Sequence, residues 1–200
     1  MVGKREATRR DLTERLLVAA TARIKRHGLQ GLRARDITSD ANCGLGTIYK
    51  CYADLDDLIL HVNSLIITDL ERALATARSS ADEPVDQLTA LASAYFAFAR
   101  ENLNAWSALF DHRMPEGVAI PDWHLREHMA LFGHVMMPLA KLDPSLGEDA
   151  LALRARSIFS AVHGIVALSL EGRFVGVNVE AVEAELTTAV RALAAGLSPE

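Results

Sequence analysis

Ala34-Arg35-Asp36-Ile37-Thr38-Ser39-Asp40-Ala41-Asn42-Cys43-Gly44-Leu45-Gly46-Thr47-Ile48-Tyr49-Lys50-Cys51-Tyr52 is the stretch on which the reading of this chain turns. It predicts two short helices, over 34–41 and 45–52, joined by a tight turn: a helix-turn-helix plan. The turn requires one residue at positive φ, and Asn42 stands there, among the few non-glycine residues that tolerate it. Thr38 and Ala41 are small enough to let the helices cross closely. Ile37, Ile48 and Tyr52 supply apolar anchors toward a preceding helix, on which Leu12, Leu16, Ala20 and Ile24 recur every four residues as one stripe. Gly28 closes that first helix.

With those anchors turned inward, Leu45, Gly46, Thr47, Tyr49 and Lys50 are left at the exposed start and outer face of the last short helix. Their chemistry suits duplex DNA. Gly46 permits close backbone approach, Thr47 and Tyr49 offer hydroxyls, and Lys50 brings charge; such groups position on phosphates and read base edges. Charge is distributed to match. Residues 1–53 hold 11 Lys/Arg against 5 Asp/Glu, whereas residues 54–200 hold 10 against 21. A basic head on an acidic body orients toward a polyanion even though the whole chain carries −5.

The motif resembles the recognition region of the TetR family of one-component transcription regulators. The resemblance rests on Gly46-Thr47-Ile48-Tyr49, the following Tyr52, the acidic Asp54, Asp56 and Asp57 before Leu58, and Arg35-Asp36-Ile37 upstream. It spans about residues 10–62. It implies an all-α fold, a DNA-binding head at residues 1–55, and a ligand-binding and dimerisation body at 56–200. The DNA contacts it implies, taken with the residue chemistry, are Arg33, Arg35, Leu45, Gly46, Thr47, Tyr49, Lys50 and Tyr52. The sequence departs from the family pattern at Asn42 (usually Gly), Gly44 (usually Ser), Cys51 (usually His), Arg33 (usually a Ser or Thr cap) and Leu55 (commonly Lys). The last and the Cys51 change remove two expected phosphate partners, for which Arg9, Arg10, Arg33 and Arg35 can compensate.

Beyond the motif nearly every periodic segment reads as helix, about nine in all. Asp54 caps a long one carrying Leu58, Val62, Leu65, Ile66, Leu70 and Leu74. Further helices are expected over 84–102, 106–112, 123–141 (bent or ended by Pro138), 145–173 and 178–195, with a short extended connector at 174–177. Small residues on the penultimate helix (Ser157, Ser160, Ala161, Gly164, Ala167) and an apolar stripe on the last (Val179, Val182, Leu186, Ala189, Val190, Leu193) suit a four-helix homodimer interface. Phe96, Trp106, Phe110, Trp123, Met129, Phe132 and His163 are candidate ligand-binding residues for an apolar or aromatic effector. His163-Gly164 is also similar to an element of one TetR subgroup.

Several classes are disfavoured. There is no Gly-rich phosphate loop, nucleophile elbow or metal tetrad, so neither an enzyme nor a cofactor is expected. His124 and His128 have helical chelate spacing, which His112 and His134 could join, but no Cys or second spaced pair accompanies them, so an exposed polar face is the expectation. No apolar stretch is read as reaching the ~20 residues a bilayer requires, and Cys43 and Cys51 form no disulfide framework. A cytoplasmic, membrane-free repressor with operator DNA, a small effector and a second copy as partners is the expectation. The alternatives are a redox-sensing regulator using Cys51, or an all-helical ligand carrier that does not bind DNA.

Overall fold

The structure, a computed structural model, describes residues 2–172 and 176–196. Among the described residues it contains nine α-helices and no strand: α1 (Val2–His27), α2 (Ala34–Asp40), α3 (Ile48–Cys51), α4 (Leu55–Ser79), α5 (Pro84–Glu101), α6 (Leu103–Asp111), α7 (Asp122–Leu142), α8 (Glu148–Leu170) and α9 (Val182–Ala195). Single 3-10 turns precede α2 at Leu29–Gly31 and α3 at Leu45–Thr47. The expected connector at 174–177 lies largely outside the described residues.

Local chemistry explains the boundaries. Gly28 follows α1 at φ 67°, and its N–H returns to Ile24 O at 2.9 Å, a left-handed C-terminal cap. Asp54 Oδ1 accepts from Asp57 N at 2.8 Å, and Asp57 Oδ2 accepts from Ala53 N at 2.9 Å. Two otherwise orphaned amides at the start of α4 are thus satisfied reciprocally. Pro84 opens α5, where its missing N–H costs nothing. Pro138 does not end α7, which runs on to Leu142. The last helix begins at Val182, later than Asn178; there Asn178 instead closes a turn, accepting from Glu180 N and Ala181 N.

The chain divides into two compact units, residues 1–66 with 102–124, and residues 67–101 with 125–200. In the first, α1 is the hub on which α2, α3 and α6 pack. Leu16, Ala20, Ile24 and Ile37 are fully buried there, and Ile48 nearly so. The sequence division at 55/56 follows the motif. Contacts follow packing instead: they bring α6 onto α1 and place residues 102–124 in the same unit.

In the second unit α5, α8 and α9 pack together. Val182, Leu186 and Val190 are fully buried within the chain. The α9 stripe read as a dimer surface is therefore mostly intrachain core; only Val179 and Leu193, at 40% and 39% exposure, are left outside. By length and composition α8 is apolar enough to cross a bilayer even with Arg154 and Arg156 in it, where the bare sequence reads as having no such stretch. Ala155, Ile158, Val162, Val166 and Ser169 turn inward from it, while Leu153, Ser157, Ser160 and Leu168 stay exposed.

Burial of histidine has a consequence for stability. His112, His128, His134 and His163 are all held below the ordinary histidine value, in each case chiefly by burial. The unfolded chain therefore binds more protons than the folded one as pH falls below about 6.5. Stability is full above that value and declines as acid titrates the buried rings. The urea midpoint is expected to drop between pH 7.5 and 5.5; an unchanged or rising midpoint contradicts this.

Candidate nucleic-acid interface and effector-binding residues

Three features fix the helix-turn-helix segment, residues 34–52, to α1. The first is the apolar contact of Ile37 and Ile48. The second is Tyr52, 5% exposed, whose hydroxyl donates to Thr13 O at 3.0 Å. Burial, then the nearby Cys51 and Asp57, pushes its phenol up to about 12, so it stays a donor throughout the working pH range. The third is Arg23, whose Nε meets Asp40 Oδ2 at 2.7 Å and whose Nη1 lies 3.4 Å from Asp36 Oδ2. That hydrogen bond holds the Asp40 carboxyl below, and the Arg23 guanidinium above, their ordinary ranges. Arg23 thus bolts α1 to α2.

The turn follows the expected chemistry. Asn42 takes φ 49°, and the chain reverses through Asn42 N to Ser39 O and Cys43 N to Thr38 O, at 3.0 and 2.9 Å. Thr38 Oγ1 returns to Ala34 O and Arg35 O. No side chain caps α2, whose cap residue is Arg33; this is the structural cost of lacking the family's Ser or Thr.

Outward from this scaffold stand Tyr49, 64% exposed, and Leu45, 44% exposed, with Gly46, Lys50, Arg33 and Arg35 also exposed and Thr47 half-buried. A Cβ at Gly46 would meet nothing within 4 Å, so its openness serves whatever approaches from outside. Tyr52 does not join this surface. It was expected among the DNA contacts, but its ring is buried and its hydroxyl engaged by α1; it holds α3 in place. Removing that hydroxyl with Tyr52→Phe is expected to cost about 1 kcal/mol in urea unfolding while leaving the outer surface intact. A variant as stable as the parent would contradict the anchoring role.

Tyr52 also touches α4. Its ring meets His61 edge-on at 5.2 Å, and His61 meets Trp123 at 4.9 Å. His61 Nδ1 lies 2.8 Å from Asp57 O, which fixes its proton there. The end of α3, the start of α4 and the start of α7 are thus joined by aromatic contact inside the first unit.

The seven proposed effector-binding residues do not fall into one unit. Trp106 (buried), Phe110 and Trp123 lie in the first, with the Trp106 and Phe110 rings 5.3 Å apart. Phe96, Met129, Phe132 and His163 lie in the second. There Phe132 meets Phe159 at 5.4 Å, Phe159 stacks on His163 at 5.5 Å, and His163 Nδ1 hydrogen-bonds Tyr95 Oη at 2.7 Å. Phe96 is buried beneath Arg100, whose guanidinium carbon lies 5.3 Å from the ring centroid, and Met129 is exposed. Tyr95 and Phe159 were not singled out from sequence; the signal available was an aromatic on each buried helical face with a histidine among them. Among the described residues no group of His, Cys, Asp and Glu could hold a metal ion, and Cys43 and Cys51 are free and half-buried.

An all-α chain with a helix-turn-helix head of this construction falls in the class of small helical transcription regulators. Residues 88–193, more than half of the chain, match the sequence profile of the tetracyclin repressor-like C-terminal domain, and the chain belongs to the TetR family. Solved structures agree on the fold. A protein of unknown function from Rhodococcus sp. RHA1 superposes with TM-score 0.73 at 22% identity, over 94% of this chain and 96% of that one. A TetR-family transcriptional regulator of Streptomyces coelicolor gives 0.66 at 21%, over 100% and 97%. RolR in complex with the ligand resorcinol gives 0.67 at 17%, over 98% of each. No curated protein matches the sequence.

Proposed function

We propose that this regulator binds palindromic operator DNA as a homodimer, acts as a repressor, and is released or re-seated by a small apolar or aromatic molecule bound in its body. The observation that carries the reading is the inside–outside division of residues 45–52. Ile48 and Tyr52 are buried, while Leu45, Gly46, Tyr49 and Lys50 face outward beside Arg33 and Arg35. In functional terms residues 1–55 are the DNA-binding head and 56–200 the ligand-binding and dimerisation body.

Dimerisation is assigned to the exposed side of α8. Ser157, Ser160, Ala161 and Gly164 give a close-packing surface, with Leu153 and Leu168 at its ends. A Cβ at Gly164 meets nothing of its own chain within 4 Å. Charged Arg154 and Arg156 on the same exposed helix favour a protein partner over lipid, in keeping with a cytoplasmic regulator. Two recognition segments then meet successive major grooves about 34 Å apart. An effector that favours a different separation weakens binding by about 1–3 kcal/mol. Ring-bearing candidates for the body, and the aromatic ligand of RolR, make phenols and related aromatics the first probes.

The test is fluorescence anisotropy on the duplex upstream of the protein's own gene. Phosphate contacts make affinity fall steeply with salt, by roughly 10³ between 50 and 200 mM if about six phosphates are met. Absence of binding, or binding indifferent to salt, rejects the reading.

A further inference from the structure

The second unit leaves a row of large apolar side chains uncovered. On α7, Leu125, Met129 and Met137 are 45%, 44% and 51% exposed. With Gly133 they recur every fourth residue, so they run along one side of the helix. The inner side faces its own chain: Phe132 meets Phe159 of α8 at 5.4 Å, and Leu139 is fully buried. Arg156 Nη2 of α8 lies 3.9 Å from Met129 Sδ. The α7 row therefore borders the outer side of α8, where Leu153, Ser157, Ser160 and Leu168 are exposed around Gly164.

Each row has a glycine in its middle part. Glycine is the poorest residue in a helix interior apart from proline. Yet a Cβ at Gly133 or at Gly164 would meet nothing of this chain within 4 Å, so packing within one chain requires neither. A bare position on an outer helix face lets a second backbone come close.

The α8 row is too small to hold a dimer alone. A stable interface takes roughly 20–30 residues a side, about 800 Å², and this row supplies five, three of them Ser or Gly. Helix α9 does not make up the difference. Val182, Leu186 and Val190 are buried within the chain, and the exposed residues of α9 include Glu183, Glu185, Thr188 and Arg191. The α7 row is apolar and adjoins α8. Charge favours a second copy as the occupant. In an antiparallel two-fold pairing of α8 centred between Ser160 and Gly164, Arg154 stands eight residues before the centre and Glu171 nine after it, both exposed. Opposite charges of the two copies then come level to within about 1.5 Å of rise.

We propose that α7 is the second helix of the homodimer interface, with the Leu125, Met129, Gly133 and Met137 row of each copy packed on α8 of the other. The assignment deepens the reading of α8 as the dimer surface and rests on it.

The test is sedimentation velocity of the full chain, without DNA, over a concentration series, with circular dichroism as the check on folding. Leu125→Arg and Met137→Arg are each expected to weaken the dimer at least tenfold with helix content unchanged. Gly133→Leu separates interface from fold. It puts a better helix former into open space, so the melting temperature of the dilute, dissociated protein should not fall, while the dimer weakens at least tenfold. A parent that sediments as a monomer, or a dimer that any two of the three variants leave unchanged, overturns the proposal. In the latter case Ser160→Arg separates the two readings: loss of the dimer there keeps the interface on α8 and removes α7 from it, whereas an unchanged dimer removes both.

Discussion

Tyr49→Ala is expected to abolish operator binding at physiological salt while leaving the fold and the dimer unchanged. Tyr49 is 64% exposed and supports nothing inside the head; Ile48 and Tyr52 do that. Losing one contacting side chain on DNA costs about 1–3 kcal/mol, and a two-fold dimer loses it twice. The affinity should therefore fall by roughly 30-fold to 10⁴-fold. Circular dichroism and sedimentation should match the parent. Operator affinity within a few-fold of the parent would remove Tyr49 from the interface and with it the assignment of the outer face.

Ser160→Arg carries the second large effect. Ser160 is exposed on α8, and its hydroxyl only returns to Arg156 O at 2.8 Å in its own helix, so the monomer does not depend on it. In an interface between two copies the same substitution appears on both sides of the axis. Two facing guanidinium groups in a small-residue seam cost several kcal/mol through like charge, apart from the steric clash. The dimer is expected to weaken at least 100-fold in analytical ultracentrifugation, and operator affinity to fall with it because one head spans only one half-site. A dimer of unchanged affinity would move the interface off α8.

The same residues mark how far the fold can be read from the chain. Positive φ at Asn42, the stop at Gly28 and the cap at Asp54 were legible because each solves a local backbone problem with few chemical solutions. Helix number and order follow from apolar periodicity. What periodicity does not encode is the partner that covers an apolar face. The stripe through Val182, Leu186 and Val190 reads equally well as an interchain or an intrachain surface, and α5 and α8 of the same chain cover it. The docking of α6 on α1 is a long-range contact of the same kind.

The candidate site divides along similar lines. Leu45, Gly46, Tyr49 and Lys50 were legible because their neighbours Ile48 and Tyr52 are apolar at helical spacing. Tyr52 was read in two roles, since a tyrosine offers both a ring to bury and a hydroxyl to present; the hydroxyl bond to Thr13 O resolves it inward. The start of the recognition segment is a 3-10 turn, where a full α-helix was expected, because Gly46 gives the helix little support. The effector residues were chosen as large apolar side chains, a criterion that selects core as readily as pocket. It passed over Tyr95, whose interest lies in the hydrogen bond to His163 that only tertiary structure brings about.

The central claim is that two copies of the 45–50 surface enter neighbouring major grooves. Dimethyl sulfate footprinting on the upstream duplex tests it directly, since guanine N7 lies in the major groove. Two protected patches related by a palindrome, with centres about 10 base pairs apart or a little more, both lost with Tyr49→Ala, are the predicted result. Full reactivity of major-groove guanines in a saturated complex, or protection that Tyr49→Ala leaves in place, would contradict it.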